Sequence, residues 1–285
     1  TRSGRVTGVQ TCALPISIPV SGDQYSRYGG DTTCIEVIAK SGETIIIDAG
    51  TGIRCLGNSL IERKISRYYL LFTHAHWDHI QGFAFFRPLL SNKAKLMIQD
   101  REFLGVYTKA LLNKVMEMPF FPIGLKDLKA DIKFDQALTG KFNIGSLSIE
   151  TIPTSHPGGG LGYKFIEDGK SFVFLTDNEL GFDHPGGVGF DAYMKFSQNV
   201  DLLFHDAEYT DDEYQQKGSW GHSSIQTVLD LALKANVKKF GMFHLNQDRT
   251  DDQMDSIVSK CRKDLKKMNS TLDCFAVPCN MEIHL

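Results

Sequence analysis

Four times along the chain, a short β-branched or aromatic run ends on a histidine or an aspartate. The stretches are "LLFTH" at His74, "VFLTD" at Asp177, "LLFHD" at Asp206 and "GMFH" at His244. Apolar runs of this length, closed by small or polar residues and alternating with helical patterns, read as buried strands of an α/β or α+β domain. Loops that leave one edge of a sheet converge in space, so strand-end histidines and carboxylates mark a site. His156, a few residues beyond "IETIP", extends the series.

The remaining punctuation supports the same architecture. The spacing predicts strands over 32–39 and 43–50, joined by a turn at Lys40-Ser41-Gly42, and a strand over 67–73. Further strands are expected at 95–99, 131–135, 147–152, 162–166, 171–176, 201–205, 239–244 and 273–277. Helices are expected at 101–117, 223–235 and 251–268. The second places Ile225, Val228, Leu229, Ala232 and Leu233 on one face, and the third Met254, Ile257, Val258, Cys261 and Leu265. No repeat or linker interrupts the pattern, so residues 17–285 read as one domain.

The opening "TRSGRVTGVQTCALPIS" is set aside. It lacks the continuous apolar core of a signal peptide and resembles translated sequencing-adapter read-through. On that reading, residues 1–16 are a non-native extension and the first strand of the domain has been lost or replaced. No apolar run approaches the roughly 20 residues that span a bilayer. Six cysteines without a CxxC pair suit a reducing cytoplasm, with a Cys274–Cys279 bridge conceivable but not demanded. A net charge of −3 with dispersed Lys and Arg disfavours a dedicated nucleic-acid binder. It leaves room for a small anionic substrate held by metal ions.

The densest chemistry lies in "THAHWDH", Thr73 to His79. In an extended loop His74 and His76 point the same way, while Asp78 and His79 follow a bend and can face a second ion. Imidazole and carboxylate suit Zn²⁺, Mn²⁺ and Fe²⁺. Each later residue also has a plainer reading: His156 as a turn histidine before Pro157, Asp177 as a strand-end cap, His244 as a core histidine.

"THAHWDHIQG" resembles the signature of the metallo-β-lactamase fold superfamily, whose motif order is HxHxDH, then His, Asp and His. "YGGDTTCIEV", "IIIDAGTGIRCLG" and "SHPGGGLGYKF" are similar to members related to RNase Z, among them cyclic-nucleotide phosphodiesterases. The resemblance implies a four-layer αββα sandwich, two mixed sheets face to face with helices outside. It also implies two divalent metal ions, zinc before manganese or iron. The first would take His74, His76 and His156, the second Asp78, His79 and His244, with Asp177 bridging. A hydroxide held between them would attack a phosphodiester, oriented by Asp78. A homodimer is implied as well.

"LLFHDAEY" and "WGHSS" resemble the HEAT-like and HST-like motifs of those relatives. A departing alkoxide needs a proton, and a histidine beside a carboxylate can supply one. His222, polarised by Asp206, is therefore expected as general acid or phosphate contact, with capping of the next helix as the plainer reading. His205 is expected to be structural. Ser223, Gly158 and Gly159 are expected to bind substrate, although the glycines of "HPGGG" suit a tight turn equally well. His184 and the acidic "DAEYTDDE" read as solvated loops, and "FAFF" (83–86) as core. "MPFFPIG" reads as a pocket wall or an interface segment.

The expected activity is hydrolysis of a small cyclic nucleotide. The alternatives are tRNA 3′-end cleavage, disfavoured because no basic arm is evident, a catalytically silent metal-binding protein, and β-lactamase or thioesterase activity.

Overall fold

A computed structural model describes residues 7–11 and 17–285. The first half of the chain supplies β1 (Gly8–Thr11), β2 (Ile35–Ile38), β3 (Thr44–Ile47), α1 (Ile53–Glu62), β4 (Arg67–Leu71), α2 (Trp77–Ile80), β5 (Lys95–Gln99), β6 (Glu102–Phe103), β7 (Val106–Tyr107), α3 (Thr108–Val115) and β8 (Asp131–Asp135). The second half supplies β9 (Lys141–Ile144), β10 (Leu147–Thr154), β11 (Gly160–Glu167), β12 (Lys170–Leu175), α4 (Phe190–Phe196), β13 (Leu202–Asp206), α5 (Asp211–Lys217), α6 (Ile225–Lys234), β14 (Lys239–Phe243), α7 (Asp251–Lys267), β15 (Asp273–Ala276) and β16 (Glu282–His284).

Two seven-stranded mixed sheets result, ordered β16-β1-β2-β3-β4-β5-β8 and β15-β14-β13-β12-β11-β10-β9. In the first, β2 and β3 form an antiparallel hairpin with Ile35 opposite Ile47, after which β3, β4, β5 and β8 run parallel. In the second, β12 to β15 are parallel and β9 to β12 antiparallel. Alternation along each strand sends one side-chain set between the sheets and the other outward. Ile47, Leu71, Tyr163, Phe172, Phe174, Phe204 and Phe243 fill the space between the sheets. Leu56, Leu60, Phe83, Phe86 and Leu112 cover the outside of the first sheet. Val228, Leu229, Met254 and Val258 from α6 and α7 cover the second. Each large side chain buried in these layers contributes about 1.5–3 kcal/mol. The αββα sandwich is therefore present.

Some expectations need correcting. The helix read over 101–117 starts only at Thr108, because Leu104 and Gly105 have φ of 48° and 84° and turn β6 back on β7. A helix of L-residues cannot pass through such a turn. β1 lies within the segment set aside at the start, pairs with β2 and β16 and buries Val9, which is compatible with a replaced first strand. The rest of that segment, 1–6 and 12–16, lies outside the described residues. The buried Cys274 thiol meets Cys261 across the α7–β15 contact. No helix among the described residues is long and apolar enough to cross a membrane.

Candidate metal centre

The parallel strands deliver the site. His74 lies just beyond β4, Asp177 just beyond β12 and His244 directly after β14, while Asp206 is the last residue of β13. His156 follows β10, and α2 carries Asp78 and His79. The cluster is thus divided between the sheets: "HAHWDH" comes from the first, and His156, Asp177, His222 and His244 come from the second. Asp48, Asp177 and His244 have φ of 62°, 50° and 49°. Left-handed backbone at three non-glycine residues of one site is strain that the surrounding structure holds in place.

Side-chain donor atoms converge in overlapping groups, each with its members within 4.8 Å of one another: His74, His76 and His156 form one and Asp78, His79, Asp177 and His244 another, while His222 joins two more, with His156 and Asp177 and with Asp206 and His244. His156 Nε2 is 3.0 Å from His76 Nδ1. Asp177 lies between the groups, its Oδ1 3.8 Å from His74 Nε2 and 3.3 Å from His244 Nε2, and its Oδ2 3.3 Å from His79 Nε2. The Nε2 atoms of His74, His79 and His244 are buried and make no hydrogen bond. Buried polar atoms are rarely left so. Inward-facing orphan nitrogens around a shared carboxylate fit a pair of divalent cations.

The charge balance fits too. Burial lowers the pKa of His74, His76 and His156, the last to about 4, so each offers a neutral imidazole at neutral pH. In the second group burial again opposes charge. There, however, the carboxylates of Asp78 and Asp177, with Asp48 at His79 and Glu208 at His244, raise both histidines well above their ordinary value. Such an excess of buried carboxylate favours cations.

Outer partners orient these rings. Asp48 Oδ2 receives His79 Nδ1 at 2.8 Å, and the same carboxylate accepts the Thr73 amide and hydroxyl, each at 2.7 Å. Glu208 Oε2 lies 3.3 Å from His244 Nδ1. His156 Nδ1 donates to the Gly221 carbonyl at 2.9 Å, leaving Nε2 for a ligand. A Cβ at Gly221, where φ is 97°, would sit 2.2 Å from His156 Nδ1, so only glycine allows this approach.

His222 stacks on His244 with ring centroids 4.6 Å apart, and its Nδ1 donates to Asp206 Oδ2 at 2.5 Å. Burial opposes a charged His222, yet Asp206 raises its pKa above the ordinary value. His205 points elsewhere: its Nδ1 meets the Asp206 carbonyl and its Nε2 meets Asn178.

Two expectations change here, for Ser223 and for the loops read as solvated. The Ser223 hydroxyl donates to the Asn178 carbonyl at 2.6 Å and accepts the Leu180 amide at 3.0 Å, so it ties two loops together and does not face the ligand atoms. Gly158 and Gly159, with φ of 84° and 73°, form the tight turn after His156, where Gly159 N donates to His156 O, and a turn there is compatible with their backbone meeting a substrate. His184 is buried against Glu179, and Glu208 is buried behind His244, so neither belongs to a solvated loop. Asp48, Glu179 and Glu208 escaped the sequence reading. Asp48 carried a usable signal, since it ends "IIID" just as Asp177 ends "FLTD".

Phe83 and Phe86 are buried as core, while Phe85 turns outward against Phe121, near exposed Met118 and Phe120 of "MPFFPIG" in the chain.

Fold and site together define a metal-dependent hydrolase. The Beta-lactamase superfamily domain model matches residues 43–245, and the chain belongs to that family. Among curated relatives, Ribonuclease Z of Exiguobacterium sibiricum is 24% identical over 247 residues, covering 74% of this chain and 81% of its own. Two solved structures share the fold. The metallo-beta-lactamase fold protein YhfI from Bacillus subtilis has a TM-score of 0.70 and 15% identity, covering 99% of this chain and 100% of its own. A diphosphatase of the PhnP family has a TM-score of 0.67 and 17% identity, covering 98% of each chain.

Proposed function

We propose that the chain hydrolyses phosphodiester bonds, with a small cyclic nucleotide as substrate. The observation that carries this reading is the His222–Asp206 pair stacked against His244. An alkoxide leaving phosphorus needs a proton at departure, and an imidazole supported by a buried carboxylate is placed to supply it. His74, His76 and His156 would hold one cation and Asp78, His79 and His244 the other, with Asp177 shared. Bound there, two cations activate water near neutral pH and neutralise charge on a phosphate oxygen. The donor set accepts zinc, with manganese or iron as alternatives.

Within that frame the protein's own groups have separate tasks. Asp78 orients the nucleophile, and His222 delivers a proton from Nε2 while Asp206 supports the imidazolium. Trp77 and Trp220, the only tryptophans, are 60% and 62% exposed. Each is adjacent in sequence to a site residue, His76 and Gly221. Lys217 Nζ lies 5.7 Å from the Trp220 ring centre. Exposed indoles with a cation above one of them suit a nucleobase. The exposed Phe85, Met118 and Phe120 support a homodimer. A cytoplasmic setting completes the reading.

The named Ribonuclease Z relatives support a second reading, cleavage of precursor tRNA. The test is a panel of cyclic purine and pyrimidine nucleotides, bis-(p-nitrophenyl) phosphate and a precursor tRNA, with Zn²⁺- and Mn²⁺-loaded protein. Turnover of the small diesters is expected, falling about 10²- to 10⁴-fold in His222→Ala. Cleavage of the tRNA alone would favour the endonuclease. No turnover of any diester by fully loaded protein would remove the reading.

A further inference from the structure

Glu179 lies two residues past Asp177 and belongs to neither ligand group, yet its carboxylate is completely enclosed. Oε1 accepts the Tyr214 hydroxyl at 2.6 Å and the Ser219 amide at 2.7 Å. Oε2 accepts the Gly221 amide at 2.7 Å and His184 Nε2 at 2.8 Å. Four donors fill the four lone-pair positions of an ionised carboxylate. Burial raises its pKa, and the bonds from Tyr214, His184 and the two amides outweigh that and bring it below the ordinary glutamate value.

What these donors belong to gives the arrangement meaning. Ser219 and Gly221, on either side of Trp220, have φ of 73° and 97°, a left-handed conformation that a serine does not favour. Their amides are held by one side chain, so the carboxylate sets the conformation of the loop. The Gly221 carbonyl then receives His156 Nδ1, and the next residue is His222. The other side of the clamp reaches Ser155, the residue before His156: the Glu179 amide donates to the Ser155 carbonyl at 2.8 Å, and the Ser155 hydroxyl accepts the His184 amide at 2.9 Å.

We infer that Glu179 is a positioning residue. It locks the 219–222 loop so that the Gly221 carbonyl fixes His156 Nε2 toward the first cation and His222 stays beside the second. The His222 half rests on the phosphodiesterase reading, and the His156 half does not.

Glutamine at this position keeps the shape but cannot keep the bonds. Its amide nitrogen would face two N–H donors, or a hydroxyl and an N–H, whichever way it turned. The experiment is Co²⁺ titration of purified full-length Glu179→Gln, followed by the metal's visible bands and by thermal melting, beside steady-state hydrolysis of bis-(p-nitrophenyl) phosphate. We expect one of the two cation affinities to fall roughly 10- to 100-fold, as for other outer partners of metal-bound histidines, while the other stays near wild type. We also expect kcat to fall more than KM rises.

Gly221→Ala presses on His156 directly and should give the same selective loss, so it decides the matter if Glu179→Gln does not fold. His222→Ala should lose hydrolysis while keeping both affinities. Wild-type affinity for both cations in folded Glu179→Gln, or in Gly221→Ala where that variant must decide, overturns the inference. If the wild type hydrolyses no diester, the phosphodiesterase reading fails and the titration still decides the clamp.

Discussion

The His222 imidazole donates its Nδ1 proton to Asp206 Oδ2 across 2.5 Å, and that carboxylate is buried at the end of β13. The pair joins a mostly buried ring to a fully enclosed carboxyl group. Asp206 raises the His222 pKa against the effect of burial, so the imidazole keeps its acidic proton to higher pH than a free histidine. Activity that needs this proton should fall as pH rises through the raised value. In Asp206→Asn the support is gone while burial still disfavours the charged ring, so the alkaline limb should move to lower pH. A pH–rate profile of kcat for both proteins checks this. An unmoved limb would assign the limb to another group.

Among the described residues, Asp177 is the one carboxylate within 4.0 Å of His74, His79, His156 and His244 nitrogens. Asp177→Asn keeps its size and removes its charge. It should cost at least one cation per chain and nearly all hydrolysis. Metal content after gel filtration and activity under saturating Zn²⁺ are the measurements. Two retained ions with full turnover would exclude a shared role.

Trp220 is predicted to act on binding more than on chemistry. Base stacking on an aromatic ring is worth about 1–3 kcal/mol. Trp220→Ala should therefore raise KM for cyclic nucleotides roughly five- to 150-fold on that basis and leave kcat near wild type. Steady-state kinetics decide it, and an unchanged KM would place the base elsewhere.

Asp201 reports on the scaffold away from the metals. Its carboxylate accepts the Ser171 amide at 2.9 Å and pairs with Lys238 at 2.8 Å, tying β12 to the strand after it. Burial raises its pKa, but Lys238 and the Ser171 amide outweigh that and depress it below 3.8. A depressed carboxyl adds stability above its unfolded pKa and loses it as the pH falls through the folded one. Asp201→Asn keeps one oxygen to accept the Ser171 amide and loses the charge facing the exposed Lys238, so it should cost no more than about 1 kcal/mol at pH 7. Denaturant midpoints for the two proteins should converge as the pH falls below 3.8. A gap that stayed constant would show that charge is irrelevant there.

Much of this was legible in the sequence, for a definite reason. Strand-end placement and the HxHxDH spacing are local properties, and they located His74, Asp177 and His244 together with the strands that carry them. Asp48 had the same local signature but stood before "AG", where an aspartate reads equally as a turn. Glu179 had no local signature at all, since its partners come from residues 184, 214, 219 and 221. His184 misled because Pro185-Gly186-Gly187 beside it suggests an exposed loop, and only packing under Glu179 buries it. The start of α3 failed for the same kind of reason: a left-handed pair at Leu104-Gly105 is a backbone event that helical periodicity cannot register.

The division of the ligands between the two sheets reaches beyond catalysis. Three imidazoles and Asp78 belong to the half that begins the chain, while His156, Asp177 and His244 belong to the half that ends it. Cations held there rivet two separately built layers along one rim, and any agent that binds only the folded form stabilises it, by about 2.7 kcal/mol at a hundredfold excess over Kd. Chelation should accordingly lower the melting temperature and open the rim to protease before either sheet is lost. The supply of metal in the cell would then govern how long each molecule survives as well as how fast it works.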